Sequence, residues 1–270
     1  MKMNIKLNVI ALLAIPILLC AQDNFGIRKV GQLFDTWSSA YEVILDGEHA
    51  FVATRFTGLR IVDVSDPDNL QQVGVLDLKE DIENIYQMDT LLFSPGSGSW
   101  QGISVINIAD PTSPERTTIL PITIVRSMFI RDTIAFIGRY TRPNQFEIRF
   151  SIYNFSNFEE PELIGYMETP IVSDLIVVHE SLAYLYQRGL GLMIVDISDY
   201  TNPVEVSRFE FETRIASMRY SDGIIYLASW YEGLFIVDVN DPEQPELLST
   251  YRPEESIKDI AITDTLAYVK

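Results

Sequence analysis

Six side chains form a candidate binding set: Arg55, Trp100, Arg139, Tyr140, Arg188 and Trp230. They fall in short stretches between apolar runs, with Phe56, Arg142, Gln187 and Tyr231 as neighbours. Guanidinium forks grip carboxylates in pairs of hydrogen bonds, and aromatic faces pack against the apolar faces of sugar rings. Arg together with Trp and Tyr is also the composition of interface hot spots. Arg55, Arg188 and Trp230 each stand three residues before a glycine, at Gly58, Gly191 and Gly233. Trp37, Arg126 and Arg214 lie in stretches that would share their face. The competing reading is structural, with ordinary loop arginines and rim aromatics packing on neighbouring elements.

Other chemistry finds less support. Asp63, Asn107, Asn154, Asp196 and Asp238 recur inside apolar runs, at intervals of 44, 47, 42 and 42 residues. A ring of calcium-binding or acid-base carboxylates would need them to converge, and two of the five are Asn. Repeat-periodic polar residues usually serve the repeat, so the expected role is a buried side chain bonded to nearby backbone N–H groups. His49 and His179 lie in different repeats, without His-x-x-x-His or cysteine partners, so no metal site is expected. No calcium loop and no Gly-x-Ser-x-Gly elbow occurs, and Pro95–Trp100 joins two strands rather than opening a helix, which disfavours phosphate cradling. No catalytic residue and no cofactor is assigned.

The elements that would position these residues are strands. One phrase returns five times: Gly58–Pro67, Gly102–Pro111, a degenerate Phe150–Asn157, Gly191–Asp199 and Gly233–Pro242. A period near 42 built from short β-type runs is the mark of a four-stranded blade, and so of a β-propeller. The run Leu59–Val64 is nearly continuous in apolar residues, as a strand covered on both faces requires. Asp46-Gly47 and Asp222-Gly223 read as hairpin turns, and Asp66-Pro67, Asp110-Pro111 and Asp241-Pro242 as turns into a fourth strand. The expected fold is all-β, a propeller of four-stranded antiparallel blades, about six in this segment with the last incomplete. Ile27–Phe34 resembles a fourth strand with nothing before it, while Ile257–Ile262 and Leu266–Lys270 open a further blade, so the segment reads as truncated at its C-terminus.

The phrase Leu/Ile-x-Ile-Val-Asp-Val-Ser-Asp-Pro, followed by proline and an apolar strand, resembles the LVIVD repeat. The resemblance spans Val30 to Lys270, and four of the five copies match closely. It implies a propeller at or outside a bacterial or archaeal cell surface. The third copy departs, with Arg149 where Gly is expected and Asn157-Phe158 in place of Asp-Pro.

Met1–Ala21 reads as a secretory leader. Lys2 and Lys6 precede an apolar stretch from Leu7 to Leu19, which is shorter than the ~20 residues a membrane-spanning helix needs. Residues 22–270 then form the propeller, with no transmembrane span. Cys20, the only cysteine, ends the apolar run; lipid attachment would call for Gly, Ala or Ser where Leu19 stands, so loss with the leader is preferred to a lipid anchor. The chain carries 20 Lys and Arg against 38 Asp and Glu, a net charge of −18, and the leader holds two of the bases and none of the acids. Such acidity opposes nucleic acid as a partner. The expected protein is a secreted or cell-surface binding module for a glycan, peptide or partner protein. Two alternatives stay open: the propeller of a secreted hydrolase or lyase, with catalytic groups in the mouth loops or beyond Lys270, and a structural spacer of a larger surface protein.

Overall fold

The computed structural model describes residues 39–78, 80–96, 102–141, 147–253, 256–263 and 266–269. Five antiparallel sheets follow one another, each with its four strands paired in chain order. The first contains β1 Ala40–Asp46, β2 His49–Thr54, β3 Gly58–Asp63 and β4 Gln71–Leu76. The second contains β5 Tyr86–Met88, β6 Leu91–Pro95, β7 Ile103–Asn107 and β8 Glu115–Leu120. The third has β9 Val125–Arg131, β10 Ile134–Thr141, β11 Glu147–Asn154 and β12 Glu162–Glu168. The fourth has β13 Leu175–His179, β14 Leu182–Gln187, β15 Gly191–Asp196 and β16 Val204–Phe209. The fifth has β17 Ile215–Ser221, β18 Ile224–Ser229, β19 Gly233–Asp238 and β20 Glu246–Tyr251. A two-stranded sheet, β21 Ile260–Thr263 and β22 Leu266–Val269, ends the order.

The first strands β5, β9, β13, β17 and β21 touch one another in succession, which places them on the inside and the fourth strands on the rim. This is a β-propeller. The expectation of about six blades is corrected to five complete blades and a two-stranded sheet among the described residues. Ile27–Phe34 lies outside those residues.

The core sits between blades. Leu192 and Ile194 of β15 pack with Ile225, Leu227 and Val237 of the fifth blade. Their neighbours Met193 and Val195 pack with Phe136, Phe150 and Ile152 of the third. Successive side chains on a strand point to opposite faces, so a strand covered on both sides is apolar at every position. Ile61 and Val195 are fully inaccessible. The blades also interlock through their rims: a Cβ on Gly74 would stand 2.0 Å from the carbonyl oxygen of Pro111 in the next blade. Gly165 meets Tyr200 in the same way, and the Ser207 hydroxyl donates to the Pro242 carbonyl at 2.5 Å.

The first hairpins turn on acids with left-handed backbone, Asp89, Asp132, Glu180 and Asp222, a conformation Asp tolerates. In the first blade Asp46 pairs with His49, so the turn is Gly47-Glu48, one residue later than the sequence suggested. The repeat glycines Gly58 and Gly191 adopt φ of +79° and +98°, and a Cβ on either would lie within 2.2 Å of a fourth-strand carbonyl oxygen. Arg149 avoids that bend because β11 starts earlier, pairing Thr141 with Glu147 and lengthening the hairpin. Its guanidinium then lies 3.8 Å from the centre of the Tyr166 ring and pairs with Glu147.

Candidate functional site

Within a blade the second strand returns to the end at which the first began. The turns from second to third strand and the connections between blades therefore share one face. Cross-strand register shows which residues correspond: Thr54 pairs with Gly58, Arg139 with Arg149, Gln187 with Gly191 and Ser229 with Gly233. The next residue in each blade is Arg55, Tyr140, Arg188 and Trp230. Three of these are anchored alike, their backbone N–H groups donating at 3.2 Å to the carbonyls of Ser39, Ile124 and Arg214. Trp37, Trp100 and Arg142 lie outside the described residues.

The side chains at this end form mixed-charge clusters. Arg55 lies 3.3 Å from Glu83 and 3.6 Å from Asp81, and donates to the Tyr41 hydroxyl at 3.2 Å. The Tyr41 hydroxyl beside it, with the Glu83 and Asp81 carboxylates, holds the guanidinium pKa above its ordinary value, against the opposing effect of burial. Arg188 and Arg126 clamp the two oxygens of Asp174, at 3.2 and 2.6 Å. Arg126 can reach because the ladder between β9 and β10 skips it, a bulge that re-aims its side chain. Arg139 turns into its own blade and donates to the Tyr153 hydroxyl at 2.6 Å. Trp230 has the Arg214 guanidinium 5.5 Å and the Lys258 ammonium 5.9 Å from its ring centre. Beside it opens a cavity of ≈560 Å³ lined by Trp230, Tyr231 and Arg252 among others.

Sequence reasoning missed a belt of polar contacts between inner strands. The Glu42 carboxylate accepts from the Ile85 N–H at 2.7 Å. The Tyr86 hydroxyl accepts from the Met128 N–H at 3.3 Å, and the Ser127 hydroxyl donates to the Ser173 carbonyl at 2.6 Å. The Tyr186 hydroxyl accepts from the Ile215 N–H and donates to the Thr213 carbonyl, and the Ser217 hydroxyl donates to Asp259 at 2.7 Å. Each bond joins a blade to the next. Burial raises the Glu42 pKa from 4.5 to about 7, opposed by the Ile85 N–H and the Arg219 charge and reinforced by Asp259. Burial also pushes the Tyr86 hydroxyl up. A visible cue existed: by register Glu42 corresponds to Ser127 and Ser217, opposite Ala53, Gly138 and Ala228, so an acid stands where other blades carry a hydroxyl.

The repeated polar residues lie at the opposite end. Asp63, Asn107, Asn154, Asp196 and Asp238 each accept, at 2.8–2.9 Å, from the N–H two residues on. They are half-buried rather than buried, because that N–H belongs to the turn leaving the sheet. Asp66, Asp110, Asp199 and Asp241 repeat the device at the following turn. The Ser65 donors hold the Asp63 carboxyl below its ordinary range. Asn157 keeps the backbone part of that turn, its carbonyl accepting from the Glu160 N–H at 3.2 Å, so the third blade turns without Asp-Pro. Among the described residues no group of three His, Cys, Asp or Glu is arranged to hold a metal ion, and no helix is long and apolar enough to cross a membrane.

Comparison with solved structures shows the fold. The β-propeller domain of Myceliophteria thermophila Cps50 (Swd1) superposes with a TM-score of 0.65 at 10% identity, over 82% of this chain and 76% of that one. The computationally designed Ika8 protein gives 0.62 at 8% identity, over 86% and 67%. A functionally unknown protein from Desulfotomaculum acetoxidans DSM 771 gives 0.60 at 13% identity, over 84% and 71%. No curated protein matches the sequence. The family model of the LVIVD repeat matches residues 38–77, 173–210 and 219–252, which are the first, fourth and fifth blades. The repeat phrase, the blade order and the turn chemistry agree with that match: the chain is a β-propeller whose first, fourth and fifth blades are LVIVD repeats.

Proposed function

We propose that this propeller is an exported binding module without catalytic activity. It engages a glycan, peptide or partner protein on the end that carries Arg55, Tyr140, Arg188 and Trp230. One observation carries the reading: the residues that build each blade repeat, whereas the residue one past the cross-strand partner of the repeat glycine position changes from Arg to Tyr to Arg to Trp. A position that varies between repeats, at the end of the blade where the loops gather, is where a repeat scaffold places recognition. The arginines there already pair with Asp81, Glu83 and Asp174, so the face is a polar mosaic rather than a basic patch. Export is supported by the leader-like run from Met1 to Ala21.

The test is the double replacement Arg188→Ala with Trp230→Ala, compared with the parent chain on glycan and peptide arrays. The reading expects interactions to be lost while the melting temperature changes little, because Arg188 is half exposed and Asp174 keeps Arg126 as its partner. A double variant that keeps every interaction of the parent removes the proposal. The enzyme alternative has one observation in its favour, the Glu42 carboxyl with a pKa near neutrality beside Asp259 and Arg219. It would require hydrolysis or elimination of a glycan that Glu42→Gln abolishes.

A further inference from the structure

We propose that the cavity beside Trp230 binds a carboxylate-bearing sugar, as found in an acidic polysaccharide. This rests on the reading of this end as the ligand-binding face. In a chain of net charge −18, arginines find acids easily: Arg55, Arg60, Arg116, Arg126, Arg149, Arg188, Arg208 and Arg219 all pair with Asp or Glu. Arg131 and Arg139 are held by tyrosine hydroxyls. Arg214, Arg252 and Lys258 have no carboxylate partner among the described residues; Arg252 lines the cavity, and Arg214 and Lys258 lie near the ring of Trp230, which lines it too. Glu232 is the one carboxylate among the described residues that line it.

Tyr231 is 81% exposed, the most exposed of the large apolar side chains among the described residues, and it stands on the cavity wall. The cavity's ≈560 Å³ falls within the ~300–1,000 Å³ typical of small-ligand sites. A pyranose has an apolar face for the phenol ring, and a ring carboxylate can reach a guanidinium fork or an ammonium group. An acidic peptide supplies the charge without the flat ring, and a neutral sugar supplies the ring without the charge. The negative charge elsewhere on the protein does not forbid this, since salt screens charges more than ~8 Å away at physiological strength.

The experiment titrates the intact chain, by calorimetry at low and high salt, with oligomers of galacturonate, mannuronate and glucuronate. The same oligomers reduced at the carboxyl serve as neutral counterparts, and polyglutamate as the peptide control. At least one uronate oligomer is expected to bind tenfold or more tighter than its reduced form, and to weaken with salt. Arg252→Gln with Lys258→Gln should lower that affinity about tenfold and leave the neutral oligomer unaffected, whereas Tyr231→Ala should weaken both, with unchanged circular dichroism in each case. Equal binding of acidic and reduced oligomers, equal binding of polyglutamate, or indifference to the Arg252/Lys258 change would overturn the proposal. If no uronate binds while an array ligand is lost on the Arg188/Trp230 double change, this inference falls and the binding module stands. If neither approach finds a ligand, both fall.

Discussion

Replacing Glu42 by Gln should make the protein more stable at alkaline pH and leave it unchanged in acid. The carboxyl is half-buried on the innermost strand of the first blade, facing Ile85 N–H, Tyr86, Arg219 and Asp259. Its pKa rises from 4.5 in the unfolded chain to about 7 in the fold. Between these values the native state holds a proton that the unfolded state has released, so stability is full below pH 4.5 and falls as pH rises through 7. That difference, at about 1.4 kcal/mol per pH unit, makes the loss about 3–4 kcal/mol. The Gln side-chain oxygen can still accept from the Ile85 N–H, so the variant keeps the link between blades without the buried charge. Urea unfolding of both proteins from pH 4.5 to 8.5 measures the effect. The two should differ least at pH 4.5, and the variant should be more stable by about 3 kcal/mol at pH 8. The difference between them cancels the titration of all other groups. A difference that stays flat across this range would refute the argument that burial governs Glu42.

Ile61→Ala removes a fully buried side chain between the first two blades and should cost about 2–5 kcal/mol in chemical unfolding. Gly191→Ala places a Cβ 2.2 Å from the Phe209 oxygen at a φ of +98°, and a cost of about 1–3 kcal/mol is expected. Gly47→Ala, at φ +56° with nothing within 4 Å, is the control and should cost less, at most about 1–2 kcal/mol. Gly74→Ala forces backbone against backbone between blades, since its Cβ would stand 2.0 Å from the Pro111 oxygen. It should destabilise by about 1–3 kcal/mol, with hydrogen exchange rising first in β4 and the following turn.

The repeat was legible because the forces that make a blade act over short stretches of chain. Alternating turn residues, an apolar third strand and an Asx residue that bonds two positions ahead all leave marks within a dozen residues. For that reason the phrase around Asp63, Asn107, Asn154, Asp196 and Asp238 could be read as architecture before any coordinates. The missing Gly at Arg149 was visible as well, although its consequence, a longer hairpin, needed the register of β10 against β11. What the sequence left open was every relation between blades. Arg188 and Arg126 are 62 residues apart, and only the winding of blades around an axis brings both to Asp174. The same winding brings Arg214, Arg252 and Lys258 near one tryptophan without a carboxylate partner among the described residues, and buries Glu42 against the second blade. Hydrophobic periodicity is a property of the local chain and fixes the blade; the pairing, sparing and desolvation of charges depend on which blades become neighbours, and only the tertiary structure decides that.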